Sequence, residues 1–298
     1  MFTRLVSGIV LVFLFLITCF GGLLPFALGV TVLATMATIE LLQACRQTAS
    51  TPSCRQNPAR LWNTLLASIG AAWPLLTCNG LLQEPINPTA PWMRTLEATL
   101  LTLLVALFGA AIPCVVRTGR MPVSLRTWPG LLALGYVGIL FSSFVLVRGI
   151  PGWIRVTPLG TADRGAWLMS LIAFCVWATD TCAYLTGRAI GRRKLAPLLS
   201  PCKTIEGSLG GLGGAMLAGM LLAHGIHLPL AHGLAVGAIA GTVGQIGDLF
   251  ESALKRDIGI KDFGNIIPGH GGVLDRFDSL LFVTPVVYCY LRLFAGMH

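Results

Sequence analysis

The sequence predicts an all-α integral membrane protein with about nine transmembrane helices. Three observations carry that expectation. Of 298 residues, 55% are hydrophobic and only 11% charged, against about 25% charged in soluble domains. The mean hydropathy is +0.78. Apolar runs near the length a helix needs to cross a bilayer recur from end to end, which excludes an ordinary soluble helical protein.

Helices are expected at about 5–20, 23–44, 61–78, 96–116, 129–147, 166–187, 206–224, 229–254 and 278–295. The breaks carry turn chemistry: Gly21-Gly22, the stretch from Thr51 to Pro58, Asn79-Gly80, and Pro85 through Pro91. The first run, from Leu5, lacks a small-residue cleavage site and is read as a retained anchor. Residues 1–150 hold few acidic side chains and are expected to pack and anchor, while 151–298 are expected to form the catalytic transmembrane domain.

Loop charge sets orientation. Arg46, Arg55 and Arg60 fall in the second connection, Arg117, Arg120 and Arg126 in the fourth, and Arg188, Arg192, Arg193, Lys194 and Lys203 in the sixth. Lys255, Arg256 and Lys261 fall in the eighth, whereas the first and seventh carry neither Lys nor Arg. The N-terminus is therefore expected in the cytoplasm and the C-terminus outside. The fifth connection breaks the pattern with Arg148, Arg155 and Arg164. Either that segment is misassigned or those side chains snorkel to headgroups.

The net charge of +9 suits loop topology, anionic lipid and an anionic substrate. With no aromatic-interleaved basic patch or zinc module, no nucleic-acid partner is expected. Nine cysteines, an odd number without a CxxC pair, are read as small buried hydrophobes. His224, His227 and His232 are read as interfacial. Gly207, Gly211, Ala215 and Gly219 share one helical face, as do Gly233, Gly237 and Gly241. Small residues at that spacing let helices approach closely in lipid, and packing accounts for them.

Two polar clusters could carry chemistry, since polar residues are costly in a membrane and mark functional sites. The denser runs DLFESALKRDIGIKDFGNIIPGHGGVLDRFD, from Asp248 to Asp278. Asp248, Ser252 and Lys255 follow i, i+4, i+7 and share a helical face, which fits a cation-and-phosphate site or a salt-bridged helix end. Glycines such as Gly259, Gly264, Gly269, Gly271 and Gly272 would let backbone N–H groups approach phosphate. Asp275 and Asp278, three apart with Arg276 between them, supply hard oxygen ligands suited to Mg²⁺. The upstream cluster, WATDTCAYLTGRAIGRRKLAPLLSPCKTIEG, runs from Trp177 to Gly207. It offers Asp180, Tyr184 and Arg188, then Ser200, Lys203, Thr204 and Glu206 at the opening of a helix whose N-terminus attracts anions.

At these two clusters the chain resembles the phosphatidate cytidylyltransferase (CDP-diacylglycerol synthase) family. The resemblance covers about residues 165–298. It lies in Ser252-Ala-Leu-Lys255-Arg256, Lys261-Asp262-Phe-Gly264 and His270-Gly271-Gly272-Val-Leu-Asp275-Arg276-Phe-Asp278. Asp180-Thr-x-Ala-Tyr184-x-x-Gly-Arg188 and Ser200-Pro-x-Lys203-Thr204-x-Glu206-Gly207 continue it. Cys202 departs from the family, which often carries Lys or Gly there. The resemblance implies about nine transmembrane helices, a homodimer, a cytoplasm-facing polar cavity, CTP and phosphatidate as substrates, and Mg²⁺ with room for a second cation. Asp248, Asp275 and Asp278 are the expected metal ligands. Lys203, Lys255, Arg256 and Arg276 would neutralise the two anionic reactants, and Ser200 and Thr204 would offer hydroxyls to phosphate. His270 is an expected acid for the leaving group. Asp180, Arg188, Glu206, Ser252, Lys261, Asp262, Gly271 and Gly272 complete the expected substrate contacts. A bacterial cytoplasmic membrane is the expected location. The alternatives are a CTP-dependent lipid kinase, which would release CDP, and an ion-coupled transporter, whose broken helices also carry charge.

Overall fold

The computed structural model describes residues 2–48, 68, 70–79, 132–156, 160–264, 266 and 271–297. Among these the chain is nearly all helical. Helix α1 (Phe2–Phe20) and helix α2 (Leu23–Thr48) form a hairpin, closed where Phe15 and Phe26 meet edge-on at 6.1 Å. Gly22 breaks the run at φ +121°, a conformation that L side chains rarely adopt, so the Gly-Gly break sits where the sequence predicts it. A helical stretch at 70–79 follows. Next comes a π-helical segment, Ala133–Ile139, continuing into α3 (Leu140–Arg148). The expected helix at 96–116 lies outside the described residues, as does most of 61–69.

Two short β-ribbons interrupt the later helices, and the helical reading missed both. Strands β1 (Trp153–Val156) and β2 (Gly160–Asp163) pair antiparallel, with Trp153 opposite Asp163. Helix α4 (Arg164–Ile190) follows, then β3 (Lys194–Ala196) antiparallel to β4 (Ser200–Thr204). Pro201 is tolerated because a two-stranded ribbon leaves edge positions without ladder bonds. Helices α5 (Ile205–Gly225), α6 (Leu230–Ile258) and α7 (Leu274–Leu293) complete the chain. Helix α7 starts four residues earlier than expected, so Asp275 and Asp278 lie one turn apart on one helix.

Among the described residues four helices are long and apolar enough to cross a membrane: Leu23–Cys45, Arg164–Ile190, Ile205–Gly225 and Leu230–Ile258. Large apolar side chains on them stay exposed, such as Leu209, Leu217 and Leu221 of α5. A soluble protein seldom presents such faces, and lipid accommodates them.

The chain divides into two compact units. The first comprises Met1–Leu146 and Ala253–Phe277, the second Val147–Ser252 and Asp278–His298. In the first, Gly138 and Gly70 bring the π segment and the helix at 70–79 into backbone contact, with room for a methyl group at neither. Phe277 closes on Phe141 and Phe144 at 5.7 and 6.1 Å.

In the second unit α4 and α5 pack along each other. A Cβ on Gly207 would lie 2.8 Å from the Ala183 carbonyl, and one on Gly211 2.9 Å from the Thr179 carbonyl. Further along, Ala215 and Gly219 meet Gly237 and Gly233 of α6. The small-residue stripe of α5 thus serves α4 at one end and α6 at the other. One of the three charges in the fifth connection is accounted for here. Arg148 is 4% exposed and its guanidinium donates to Asp163 at 2.9 Å, so its charge is met internally rather than at a headgroup.

Candidate active site

The second unit holds a cleft of about 320 Å³ where α4, the β3–β4 ribbon, α5 and α6 converge. That volume is at the small end of ligand pockets. The ribbon delivers Lys203 two residues before α5 begins. Thr204 is the N-cap of α5, and its hydroxyl accepts the Gly207 N–H at 3.1 Å. The free N–H groups and dipole at this end favour an anion.

Lys203 and Asp248 form an ion pair in the cleft, each side chain 28% exposed. Partial exposure keeps both available to a ligand, unlike a dry pair locked in a core. Ser252 donates weakly to the other Asp248 oxygen at 3.5 Å. Asp278 feels the negative charges of Asp248 and Asp180 and the positive charge of Lys203. Gly247 lets α6 and α7 close here, since a Cβ on it would lie 2.8 Å from the Asp278 carbonyl.

Of the residues expected from sequence, Asp180, Arg188, Lys203, Thr204 and Asp248 line this cleft. Sequence reasoning missed Thr179, Ser208 and Gln245 in the same lining. Ser208 and Gln245 hydrogen-bond side chain to side chain, and the Gln245 amide also donates to the Ser208 carbonyl at 3.1 Å. A glutamine inside an apolar helical run was the available signal. Glu206 is turned to the adjoining loop, where it accepts the backbone N–H groups of Arg192 at 3.0 Å and Arg193 at 3.2 Å. Ser200 opens β4 opposite Ala196.

The first unit holds the remaining expected residues. Lys255 donates to Asp275 at 2.8 Å in a largely buried pair. The other Asp275 oxygen accepts N–H groups from Phe263 at 3.0 Å and Gly272 at 2.9 Å. The Gly272 amide, expected to face phosphate, is thus engaged by Asp275. Gly271 adopts φ +88° beside that carboxylate. Arg256 donates to the Ile260 carbonyl just past the end of α6. Lys261, Asp262 and Arg276 are exposed. His270 lies outside the described residues.

Among the described residues no three His, Cys, Asp or Glu side chains stand close enough to enclose one metal ion. The donor chemistry of the second unit nonetheless fits a hard cation. Asp248 and Asp180 are carboxylates within electrostatic reach of Asp278, with Lys203 as the counter-charge.

The cleft thus sets a lysine at a helix N-terminus beside two carboxylates, Asp180 and Asp248, among helices of membrane-spanning length. The chain matches the cytidylyltransferase family over residues 2–294 and belongs to that family. It is 31% identical to the phosphatidate cytidylyltransferase of Bacillus subtilis (strain 168), over 98% of each chain. It is 41% identical to the protein of that name from Synechocystis sp., over 55% of this chain and 61% of the other. The Staphylococcus aureus (strain COL) counterpart is 39% identical over 53% of this chain and 56% of its own.

Proposed function

We infer that this chain transfers the cytidylyl group of CTP to phosphatidate, releasing pyrophosphate and forming CDP-diacylglycerol for phospholipid synthesis. Membership of the cytidylyltransferase family across residues 2–294 carries that reading. The Lys203–Asp248 cleft supplies the chemistry.

A phosphate oxygen of phosphatidate attacks the α-phosphorus of CTP. The bond from that phosphorus to the bridging oxygen breaks, and pyrophosphate leaves with the electron pair. The nucleophile is already an anion, so the protein's task is alignment and charge neutralisation rather than proton removal. Lys203 and the N-terminus of α5 neutralise phosphate oxygens, with Arg188 as a second cation in the lining. Asp248 and Asp278 would hold Mg²⁺, with Asp180 beside them. When bound, that ion offsets phosphate charge. Asp275, the third ligand expected from sequence, holds Lys255 and the backbone of its own unit together.

Purified protein with CTP, phosphatidate and Mg²⁺ in detergent should yield CDP-diacylglycerol by mass and one pyrophosphate per lipid product. Release of CDP with transfer of the γ-phosphoryl group would make the protein a lipid kinase. Solute flux in proteoliposomes without CTP consumption would make it a transporter.

The reading extends to about nine spans, a cytoplasm-facing cleft, an N-terminus in the cytoplasm of a bacterial inner membrane, and a homodimer. Loop charge supports the orientation. Cys202 tests it, because it is exposed and lines the cleft. A variant retaining Cys202 as its sole cysteine should react with a membrane-impermeant maleimide only after the cytoplasmic face is opened. CTP should slow that reaction. Labelling in intact cells would overturn both the orientation and access of cytoplasmic CTP.

A further inference from the structure

We propose that Glu40, in the second helix of the chain, is a positioning residue for the reaction, acting through the N-terminus of α7. This rests on the cytidylyltransferase reading above.

Glu40 is 1% exposed within the membrane-length span Leu23–Cys45. An ionisable residue there is expensive unless it has a task. Its two oxygens receive one backbone N–H each, from Val273 at 3.0 Å and Leu274 at 3.1 Å. Those are among the first unsatisfied amides of α7, which begins at Leu274. A helix normally finds this cap in a Ser, Thr, Asp or Asn just before its first turn. Here that position is Val273, which has no side-chain acceptor. The nearby Asp275 carboxylate is engaged by Lys255, Phe263 and Gly272. The cap therefore comes from a carboxylate 233 positions upstream in sequence, and its charge also complements the helix dipole.

Two motif glycines acquire a reason from the same carboxylate. A Cβ on Gly264 would lie 2.6 Å from one Glu40 oxygen, and a Cβ on Gly272 2.7 Å from the other. Neither has a positive φ, so a side chain at either position would meet the Glu40 carboxylate rather than backbone strain. The loop before α7 closes around Glu40. Asp275 in the first turn and Asp278 one turn later project from the helix whose start Glu40 holds. A small rotation of that first turn would turn the rest of the same helix and with it Asp278, the proposed ligand whose aim matters to within fractions of an ångström.

Glu40→Gln tests this in the full-length protein. The amide can accept one of the two N–H groups, but its NH₂ end faces the other donor. Hydrogen exchange at Val273 and Leu274 should accelerate, while α4 and α5 remain protected. Turnover should fall about tenfold or more, with KM for CTP within about twofold of the parent. Glu40→Asp, which keeps the charge, should restore part of the turnover. Leu41→Ala, at the fully buried neighbouring position on α2, is the control for a merely loosened core; it should lower the melting temperature with turnover retained. Unchanged exchange at Val273 and Leu274 in Glu40→Gln would overturn the proposal. So would turnover within twofold of the parent, or a loss that Glu40→Asp does not relieve. If Glu40→Gln fails to fold, exchange and turnover in Glu40→Asp decide alone. A parent protein that makes no CDP-diacylglycerol would refute the enzymatic reading and leave the exchange result standing.

Discussion

Asp278→Asn is expected to lower turnover about a hundredfold or more while the protein still inserts and folds. Asparagine keeps the shape of the side chain, and its carbonyl can still accept the Ser279 N–H that Asp278 takes at 2.6 Å. The contact of Gly247 with the Asp278 backbone does not depend on side-chain charge. What disappears is one carboxylate oxygen from a group on which the charges of Asp248, Asp180 and Lys203 all act. If Asp278 helps hold Mg²⁺, its loss weakens the cation's grip and leaves phosphate charge uncompensated at the reacting centre. The measurement is turnover at saturating CTP across a magnesium titration, with folding checked by thermal melting. The variant should need far more magnesium and still not reach the parent rate. Near-normal turnover at limiting magnesium would show that Asp278 is no ligand.

Much of this site was legible because its residues are polar in an apolar chain. Asp180, Arg188, Lys203, Thr204 and Asp248 stood out against helices with few charges, and all line one cleft. Helix positions were legible from run length, and α4, α5 and α6 begin and end within a few residues of expectation. The β-ribbons were not. Lys194–Ala196 and Ser200–Thr204 are too short to show alternation, and their polar residues resemble a loop. Nor could charge alone reveal what a charge touches. Glu206 stands in the first turn of α5 but pins the loop at Arg192 and Arg193. Arg148 resembled a headgroup contact but meets Asp163 internally. Glu40 was invisible for a different reason. Its meaning depends on amides more than two hundred positions away, and no local spacing encodes such a contact. The division of the chain has the same origin, since Ala253–Phe277 groups with Met1–Leu146 rather than with its sequence neighbours.

Lys203 and Asp248 are expected to behave as one functional element rather than two independent contributors. The pair is direct, each member is partly exposed, and both line the cleft. Lys203→Met removes the cation proposed to meet phosphate and would leave the Asp248 carboxylate facing the substrate's negative charge. Asp248→Asn removes a proposed metal ligand and frees Lys203 from the partner that fixes its ammonium. Each single change should therefore cost turnover twice over, through its own lost contact and through the misplaced survivor. The double variant suffers both lost contacts but neither stranded partner. Residues acting on one transition state are strongly non-additive, whereas separate sites add in free energy. Turnover of CTP in the double variant should exceed the product of the two single residual activities by about tenfold or more. The cycle requires folded protein for all four forms, verified by melting, and residual activity above background in each. Rate losses that multiply strictly would mean that Lys203 and Asp248 serve different steps, and that their ion pair rests outside the reaction.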